Sequence, residues 1–123
     1  MKVAIFSALM LTAVIANAMP HYDDSLPEFE YHRVTTEDCK MVADISKGAV
    51  AARAENAGMD SVLLGLMKPE HLQDDGYRAM VPMAIANVTK IFNSPAAAKA
   101  EVVGESDYAD CVLYIGFDMP YQK

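Results

Sequence analysis

The sequence predicts an all-α fold, a small bundle of four to five helices closed by one disulfide. Three observations predict it. Apolar residues recur at helical spacing along several segments, residues typical of helix ends stand at the segment borders, and two cysteines lie far apart in a chain of 123 residues. We expect residues 36–123 to form this helical domain, after a signal peptide over residues 1–18 and an acidic arm over residues 19–35.

The first 18 residues have the pattern of a secretory signal peptide. A positive start, "MK", is followed by the apolar run "VAIFSALMLTAVI" and by "ANA", which ends at Ala18. This run is short for a membrane-spanning helix, so cleavage after Ala18 is favoured over a retained N-terminal anchor. The features are typical of bacteria, and the expected destination is the periplasm or the exterior of the cell.

The remainder of the chain is strongly acidic. Removing Lys2 from the balance of 10 basic against 17 acidic residues leaves a formal charge of −8. Such a chain repels phosphate, which argues against binding to nucleic acid or to an anionic membrane surface. We expect no membrane span after signal cleavage, because no second long apolar run follows. The acidity suits solubility or, alternatively, a basic protein partner.

The arm over residues 19–35 has two prolines and no helical period, so we expect it to be extended. It interleaves acidic residues with Tyr22, Phe29 and Tyr31, a composition that suits a strand laid on a protein partner. Packing back on its own bundle is the alternative. These three aromatic residues, together with Arg53 on the first predicted helix, are the candidate partner-binding residues. An arginine at the edge of an apolar stripe also commonly caps a carbonyl or pairs with a carboxylate.

The first helix is predicted within "TTEDCKMVADISKGAVAARAENAG". Thr35 or Thr36 suits its N-cap, and Gly58 suits the position just after its end. Gly48, in its interior, costs helix stability and suggests a close contact with a neighbouring helix. A narrow apolar stripe, formed by Val42, Ile45, Ala49 and Ala52, should face the core.

Two further helices are predicted in the middle of the chain. "DSVLLGLMK" should begin at Asp60 or Ser61 and stop before Pro69, and "PEHLQDDG" reads as a turn or a short helix. "YRAMVPMAIANVTKIFN" has one apolar face, with Pro82 either in its first turn or at a kink.

The last part of the chain should hold the closing helix. Ser94 and Pro95 resemble a helix start, and the following segment should be helical, with an interruption at Gly104. A final helix should carry Tyr108, Cys111 and Val112. The tail "LYIGFDMPYQK" is left open between a helix end, a short strand and an arm.

In an exported protein, Cys39 and Cys111 most simply form one disulfide. A nucleophilic Cys111 would need a nearby base, and two lone cysteines do not supply the four ligands of a zinc site. The histidines show no recognisable pairing with either cysteine. We therefore predict no catalytic residue, no metal site and no cofactor.

The pattern of Cys39, Arg53, Gly58 and Cys111 resembles small exported helical proteins of Gram-negative bacteria. The resemblance spans about residues 36–112. It implies a helical fold with one long-range disulfide, and it implies no activity. The acidic arm and the apolar tail are not accounted for by it.

The sequence therefore favours an exported, non-enzymatic interaction protein of the bacterial envelope. It would act through a protein partner, as a chaperone or an inhibitor of a basic enzyme does. The alternative is a carrier whose helices enclose a small apolar ligand, since Ala-rich and Met-rich faces can leave a cavity.

Overall fold

A computed structural model describes residues 28–95 and 99–122. The signal-like segment and Tyr22 lie outside these residues. Within them the fold is mostly helical, with a small sheet that the all-α prediction missed. The elements in chain order are β1 (Phe29–Arg33), α1 (Thr36–Ala54), α2 (Met59–Leu66), α3 (Pro69–Leu72), α4 (Asp75–Asn93), α5 (Ala100–Val112) and β2 (Asp118–Gln122).

The sheet joins the two ends of the described chain. β1 comes from the acidic arm and β2 from the apolar tail, and they pair antiparallel with Phe29 opposite Gln122 and Arg33 opposite Asp118. The arm is extended as predicted, and the tail takes the strand among its three alternatives. The all-α prediction was wrong here because a strand of five residues has too short a pattern to indicate a strand by itself. Its pairing partner lies at the far end of the sequence, so no local signal indicates the sheet.

Helix α1 begins where the sequence predicts and ends earlier. Thr35 is its N-cap: the Asp38 N–H donates to Thr35 Oγ1 at 3.2 Å, and the Thr35 N–H donates to Asp38 Oδ2 at 2.7 Å. The helix ends at Ala54, and Asn56 then adopts a left-handed φ of 65°. Asparagine tolerates this conformation, which glycine was expected to supply.

Gly58 is therefore not the C-terminal stop of α1. It is the N-cap of α2, with an extended backbone at φ −79°, and Asp60 and Ser61 lie inside that helix. The prediction of a cap at Asp60 or Ser61 was wrong because the chain needs only four residues, 55–58, to connect the two helices.

Helix α4 begins before the predicted segment, with Asp74 as its N-cap accepting a hydrogen bond from the Tyr77 N–H at 2.9 Å. Pro82 therefore lies in the interior of the helix rather than in its first turn. It occupies an exposed position, and its missing N–H leaves the Arg78 carbonyl without an intrahelical donor.

The segment around Ser94 ends a helix instead of starting one. Ser94 is the C-cap of α4, and its hydroxyl donates to the Lys90 carbonyl at 2.8 Å. The next helix begins at Ala100 with Lys99 as its N-cap. It runs through Gly104 without interruption and carries Tyr108, Cys111 and Val112, as predicted for the final helix.

The predicted disulfide is present and lies in the core. Cys39 and Cys111 are both fully buried, with their Cα atoms 5.4 Å apart. The bond joins the first turn of α1 to the last turn of α5 and belongs to one of two core clusters, formed by Val34, Cys39, Val42, Met80 and Cys111. The second cluster, nearer the opposite end of α1, is formed by Ala49, Leu66, Ala84, Val88 and Ile91. Among the described residues, no helix is long and apolar enough to span a membrane.

Candidate functional site

The structure does not bring the candidate partner-binding residues together. Phe29 and Tyr31 lie on the same side of β1 and are 49% and 66% exposed. Arg53 lies near the end of α1, where it contacts the C-terminal end of α4 rather than the strand. Tyr22 precedes the described residues.

Arg53 caps the C-terminal end of α4. Its guanidinium donates one hydrogen bond to the Ile91 carbonyl and another, of 2.7 Å, to the Ser94 carbonyl. The last carbonyls of a helix have no intrahelical donor and attract positive charge. The structure thus shows the carbonyl-capping role that sequence reasoning had placed beside partner binding.

The most exposed apolar segment lies directly after the disulfide. We call residues 112–117 the apolar turn. Helix α5 ends there, and the chain turns before it enters β2. Five of its six residues have large apolar side chains that are at least 40% exposed, namely Val112, Leu113, Tyr114, Ile115 and Phe117.

The backbone of the apolar turn is fixed although its side chains are exposed. The Tyr114 N–H donates to the Cys111 carbonyl at 2.8 Å, and the Phe117 N–H donates to the Tyr114 carbonyl at 2.9 Å. The Gly116 N–H donates to the Val34 carbonyl at 2.9 Å, from a left-handed φ of 90° that glycine readily adopts. The rings of Tyr114 and Phe117 meet edge to face at 6.2 Å. The turn therefore presents a preformed apolar surface.

Acidic residues flank the apolar turn on both sides. Asp110 precedes it on α5 and is exposed, and Asp118 follows it at the start of β2. Asp118 accepts a 3.3 Å hydrogen bond from Arg33, with both side chains more than half exposed. Such an exposed ion pair is weak and can rearrange when a partner binds. The residues that flank the turn along the chain are therefore acidic, and one of them is paired with Arg33.

Sequence reasoning missed the apolar turn as a site, although its signal was present. The run "VLYIGF" has neither the period of a helix nor the alternation of a strand. Five of its six residues are apolar, which is more than a helix or strand with a single buried face would have. Sequence reasoning treated this segment as an unassigned tail. Its exposure follows from the position of Cys111, which is buried in the core and leaves the following residues outside it.

The buried polar groups form a structural ion pair. Asp107 is 1% exposed, and its Oδ1 accepts a hydrogen bond from Lys90 Nζ at 3.1 Å, which links α5 to α4. Its Oδ2 and the buried hydroxyl of Ser46 have no hydrogen-bond partner among the described residues. Asp107 Oδ2 and the Ser46 hydroxyl are sealed from solvent, whereas the Lys90 side chain is exposed.

Two tyrosines have raised pKa values. Burial raises the pKa of Tyr77, whose hydroxyl donates to the Leu66 carbonyl at 2.7 Å. Burial also raises the pKa of Tyr121, and the carboxylates of Asp75 and Glu30 raise it further. Both phenols thus ionise less readily than a free tyrosine, which does not suit them to act as bases or nucleophiles.

Within residues 28–95 and 99–122, no group of three His, Cys, Asp or Glu side chains lies close enough together to hold a metal ion. The chain's two cysteines are both in the disulfide, so neither provides a thiolate.

An open apolar groove lies between the sheet and α4. Phe29 and Tyr121 line it from the strands, Val81 and Ile85 from α4, and Met67 and Leu72 from the intervening segment. The groove is open to solvent along its length, and the Arg78 side chain lies in its wall. It could accommodate an apolar group at the surface, in contrast to the enclosed helical cavity that the carrier hypothesis expected.

Comparison with known proteins does not assign the chain to a family. No protein-family model, curated protein or solved structure matches it. The resemblance to small exported helical proteins stays a prediction.

Proposed function

We propose that this protein is an exported, non-enzymatic interaction protein of the bacterial envelope that binds a basic protein partner through the apolar turn. One observation carries the proposal: five large apolar side chains are exposed on a hydrogen-bonded backbone next to the buried disulfide. Contiguous exposed apolar surface with a polar rim is typical of protein interaction sites.

The geometry of the apolar turn favours binding over simple exposure. Aromatic side chains such as Tyr114 and Phe117 are enriched among residues that dominate interface energetics. Because the turn is already ordered by its backbone hydrogen bonds, binding would cost less conformational entropy than it would for an unstructured tail.

The charge of the protein supports a basic partner. The full chain has a formal charge of −7, and Asp110 and Asp118 flank the apolar turn. Opposite charges around an apolar centre accelerate association and select partners. A basic envelope enzyme that is inhibited, or a basic client that is chaperoned, has this chemistry.

The proposed export is supported by two features of the chain. Residues 1–18 have the signal-like pattern, and the Cys39–Cys111 disulfide suits an oxidising compartment such as the periplasm. Intact mass measurement of the protein recovered outside the cytoplasm tests this part. A mass that lacks residues 1–18 supports it, and a mass that includes them contradicts it.

The partner-binding part is tested with a matched pair of variants. Leu113→Ser/Phe117→Ser removes side chains that are 74% and 60% exposed in the apolar turn. The control, Leu64→Ser/Val102→Ser, removes side chains that are 73% and 59% exposed elsewhere. Both variants should keep the native fold, because neither removes buried contacts.

We expect immobilised wild type and the control to retain the same basic protein from a periplasmic extract, quantified by mass spectrometry. The turn variant should retain at least about tenfold less, equivalent to about 1.4 kcal/mol. Equal retention by the turn variant and the control would contradict the proposal, as would a captured partner of acidic net charge.

The open groove favours, as a second candidate, a carrier of a small apolar ligand. Its lining is mostly apolar, with Arg78 as a polar group at the wall. Native mass spectrometry of the purified protein should then show a bound small molecule that Ile85→Glu removes. A protein that carries no such mass after purification would argue against a carrier.

A further inference from the structure

The two edges of the small sheet differ, and the difference begins with the direction of the backbone hydrogen bonds. The Val34 N–H donates to the Phe117 carbonyl at 2.9 Å, and the Val34 carbonyl accepts from Gly116. Peptide groups alternate sides along an antiparallel strand. The N–H and C=O groups of Phe29, Tyr31 and Arg33 therefore point away from β2.

The outer edge of β2 is closed. By the same alternation, the peptide groups of Asp118, Pro120 and Gln122 point away from β1. Pro120 has no N–H to offer at that edge, and the Gln122 carbonyl accepts a 3.1 Å hydrogen bond from Arg78. A further strand could not pair regularly along this side.

Among residues 28–95 and 99–122, no strand pairs with the outer edge of β1. The sheet has two strands within the described residues, and no third strand lies beyond β1. The strand contains no proline, and four of its five residues are exposed. An edge with free, evenly spaced donors and acceptors is a template for another strand.

We propose that this edge pairs with the same edge of a second copy of this chain. The two β1 strands would lie antiparallel about a two-fold axis at Tyr31. The two sheets would become one four-stranded sheet in the order β2, β1, β1 of the second copy, β2 of the second copy. Most soluble homo-oligomers are closed by such a two-fold axis, in which one patch contacts itself.

The sequence of β1 is complementary to itself in this register. In this register Phe29 lies opposite Arg33 of the second copy, a cation–π pair that would replace the exposed ion pair of Arg33 with Asp118. Glu30 lies opposite His32 of the second copy, whose Nε2 is bonded to Asp38 Oδ2 at 2.8 Å. Tyr31 faces Tyr31 at the axis, and aromatic pairs across strands stabilise sheets. In this register no two like charges stand directly opposite each other.

The neighbouring registers are less favourable. A shift that keeps the hydrogen-bonding edge but moves the axis to Glu30 places the two Glu30 carboxylates opposite each other. Like charges directly opposite across strands are destabilising. The opposite shift puts the two His32 side chains face to face and leaves Glu30 opposite the apolar Val34. The charge pattern therefore selects the axis at Tyr31.

The same pattern favours a second copy over an unrelated strand. A foreign strand would need its own matching order of charge and aromatic residues, whereas the sequence "FEYHR" supplies both sides of the pairing. The interface is small and each chain carries a charge of −7, so we expect a reversible dimer.

The test is sedimentation velocity of the full chain over a range of concentrations, with wild type and two proline variants. Tyr31→Pro removes the N–H at the centre of the open edge and no hydrogen bond to β2. The matched control, Gln122→Pro, removes an N–H at the closed edge of the same sheet. Wild type and the control should dimerise, and Tyr31→Pro should raise the dimer dissociation constant at least about tenfold.

A charge exchange tests the register. Phe29→Arg places two arginines opposite each other and should weaken the dimer about tenfold, whereas Phe29→Arg/Arg33→Phe restores the pairing and should restore dimerisation. Circular dichroism confirms that each variant is folded.

Three results would overturn the inference: a wild type that is monomeric throughout, a dimer unaffected by Tyr31→Pro, or a double variant no better than the single one. A dimer lost in Leu113→Ser/Phe117→Ser but kept in Tyr31→Pro would place self-association at the apolar turn instead. The capture experiment with Tyr31→Pro separates this proposal from the proposed function. That variant blocks the β1 edge and leaves the apolar turn intact, so it should still retain the basic partner.

Discussion

The guanidinium of Arg53 connects α1 to the C-terminal end of α4 through hydrogen bonds to backbone carbonyls. The carbonyls of Ile91 and Ser94 lie at the end of α4 and need donors, which a long side chain from α1 can provide. The positive charge also lies at the negative end of the α4 dipole. At the scale of one residue, stability here comes from satisfying backbone groups.

Replacing this side chain should be costly. We expect Arg53→Ala to lower the free energy of unfolding by about 2 kcal/mol, because two charged hydrogen bonds to half-buried carbonyls are lost. Lys40→Ala, which breaks an exposed ion pair of 3.2 Å with Glu37, should cost less than about 0.5 kcal/mol. Urea unfolding of both variants measures the difference, and equal costs would contradict the capping role.

Helix α1 packs against α5, and the glycine inside each of these helices has a different environment. Gly48 is exposed, and an added Cβ would meet no neighbouring atom. Gly104, on α5, is buried, and a Cβ there would come within 2.8 Å of Lys47 Cγ and 2.5 Å of Lys47 Cε. The close contact expected at Gly48 is found at Gly104 instead.

These two positions should respond differently to alanine. Gly48→Ala should stabilise the protein by about 0.5–1 kcal/mol, because alanine loses less backbone entropy in a helix. Gly104→Ala should stabilise it less, or destabilise it, because the Lys47 side chain must move and its 3.5 Å ion pair with Glu101 is disturbed. Thermal unfolding of both variants is the measurement. Equal stabilisation by the two substitutions would contradict the prediction, because it would mean that the Lys47 side chain moves aside at no cost.

The sheet and the disulfide both join the first part of the described chain to its last part. The disulfide joins residues 72 positions apart and lies in the core cluster beneath the sheet. Both connections bring the first and last elements together, so that α1 and α5 pack side by side. The apolar turn emerges between the two connections, and this fixes its position.

Removal of the disulfide should destabilise the whole fold. Closing a loop of this length stabilises a protein by about 4 kcal/mol in the chain-entropy account. We expect reduction, or the Cys39→Ala/Cys111→Ala variant, to lower the free energy of unfolding by that amount, measured by denaturant unfolding with and without reductant. An unchanged midpoint, with both thiols shown to be free, would contradict the prediction.

The predictable parts of the fold were those with local signals. Thr35 and Asp38 mark the start of α1 by side chains three residues apart, and Pro69 marks the end of the segment before α3. The predictions at Gly58 and Ser94 were wrong because each residue type occurs at both the start and the end of helices. The lengths of the neighbouring helices decided that Gly58 starts a helix and Ser94 ends one. The candidate site followed the same division: the sequence singled out Phe29 and Tyr31 as aromatic residues among acidic ones, whereas the segment of the apolar turn was left unassigned.

The sequence by itself determined the helices, the acidity and the pairing of Cys39 with Cys111, because periodicity, composition and a count of two cysteines require no knowledge of neighbours. Only the tertiary structure decided which residues form the sheet, which glycine is crowded and which apolar side chains stay exposed. Each of these depends on contacts between residues far apart in the chain. Burial is a property of the assembled fold. Cys111 is the last residue of α5 that lies in the core, and the segment "VLYIGF" that follows it is exposed.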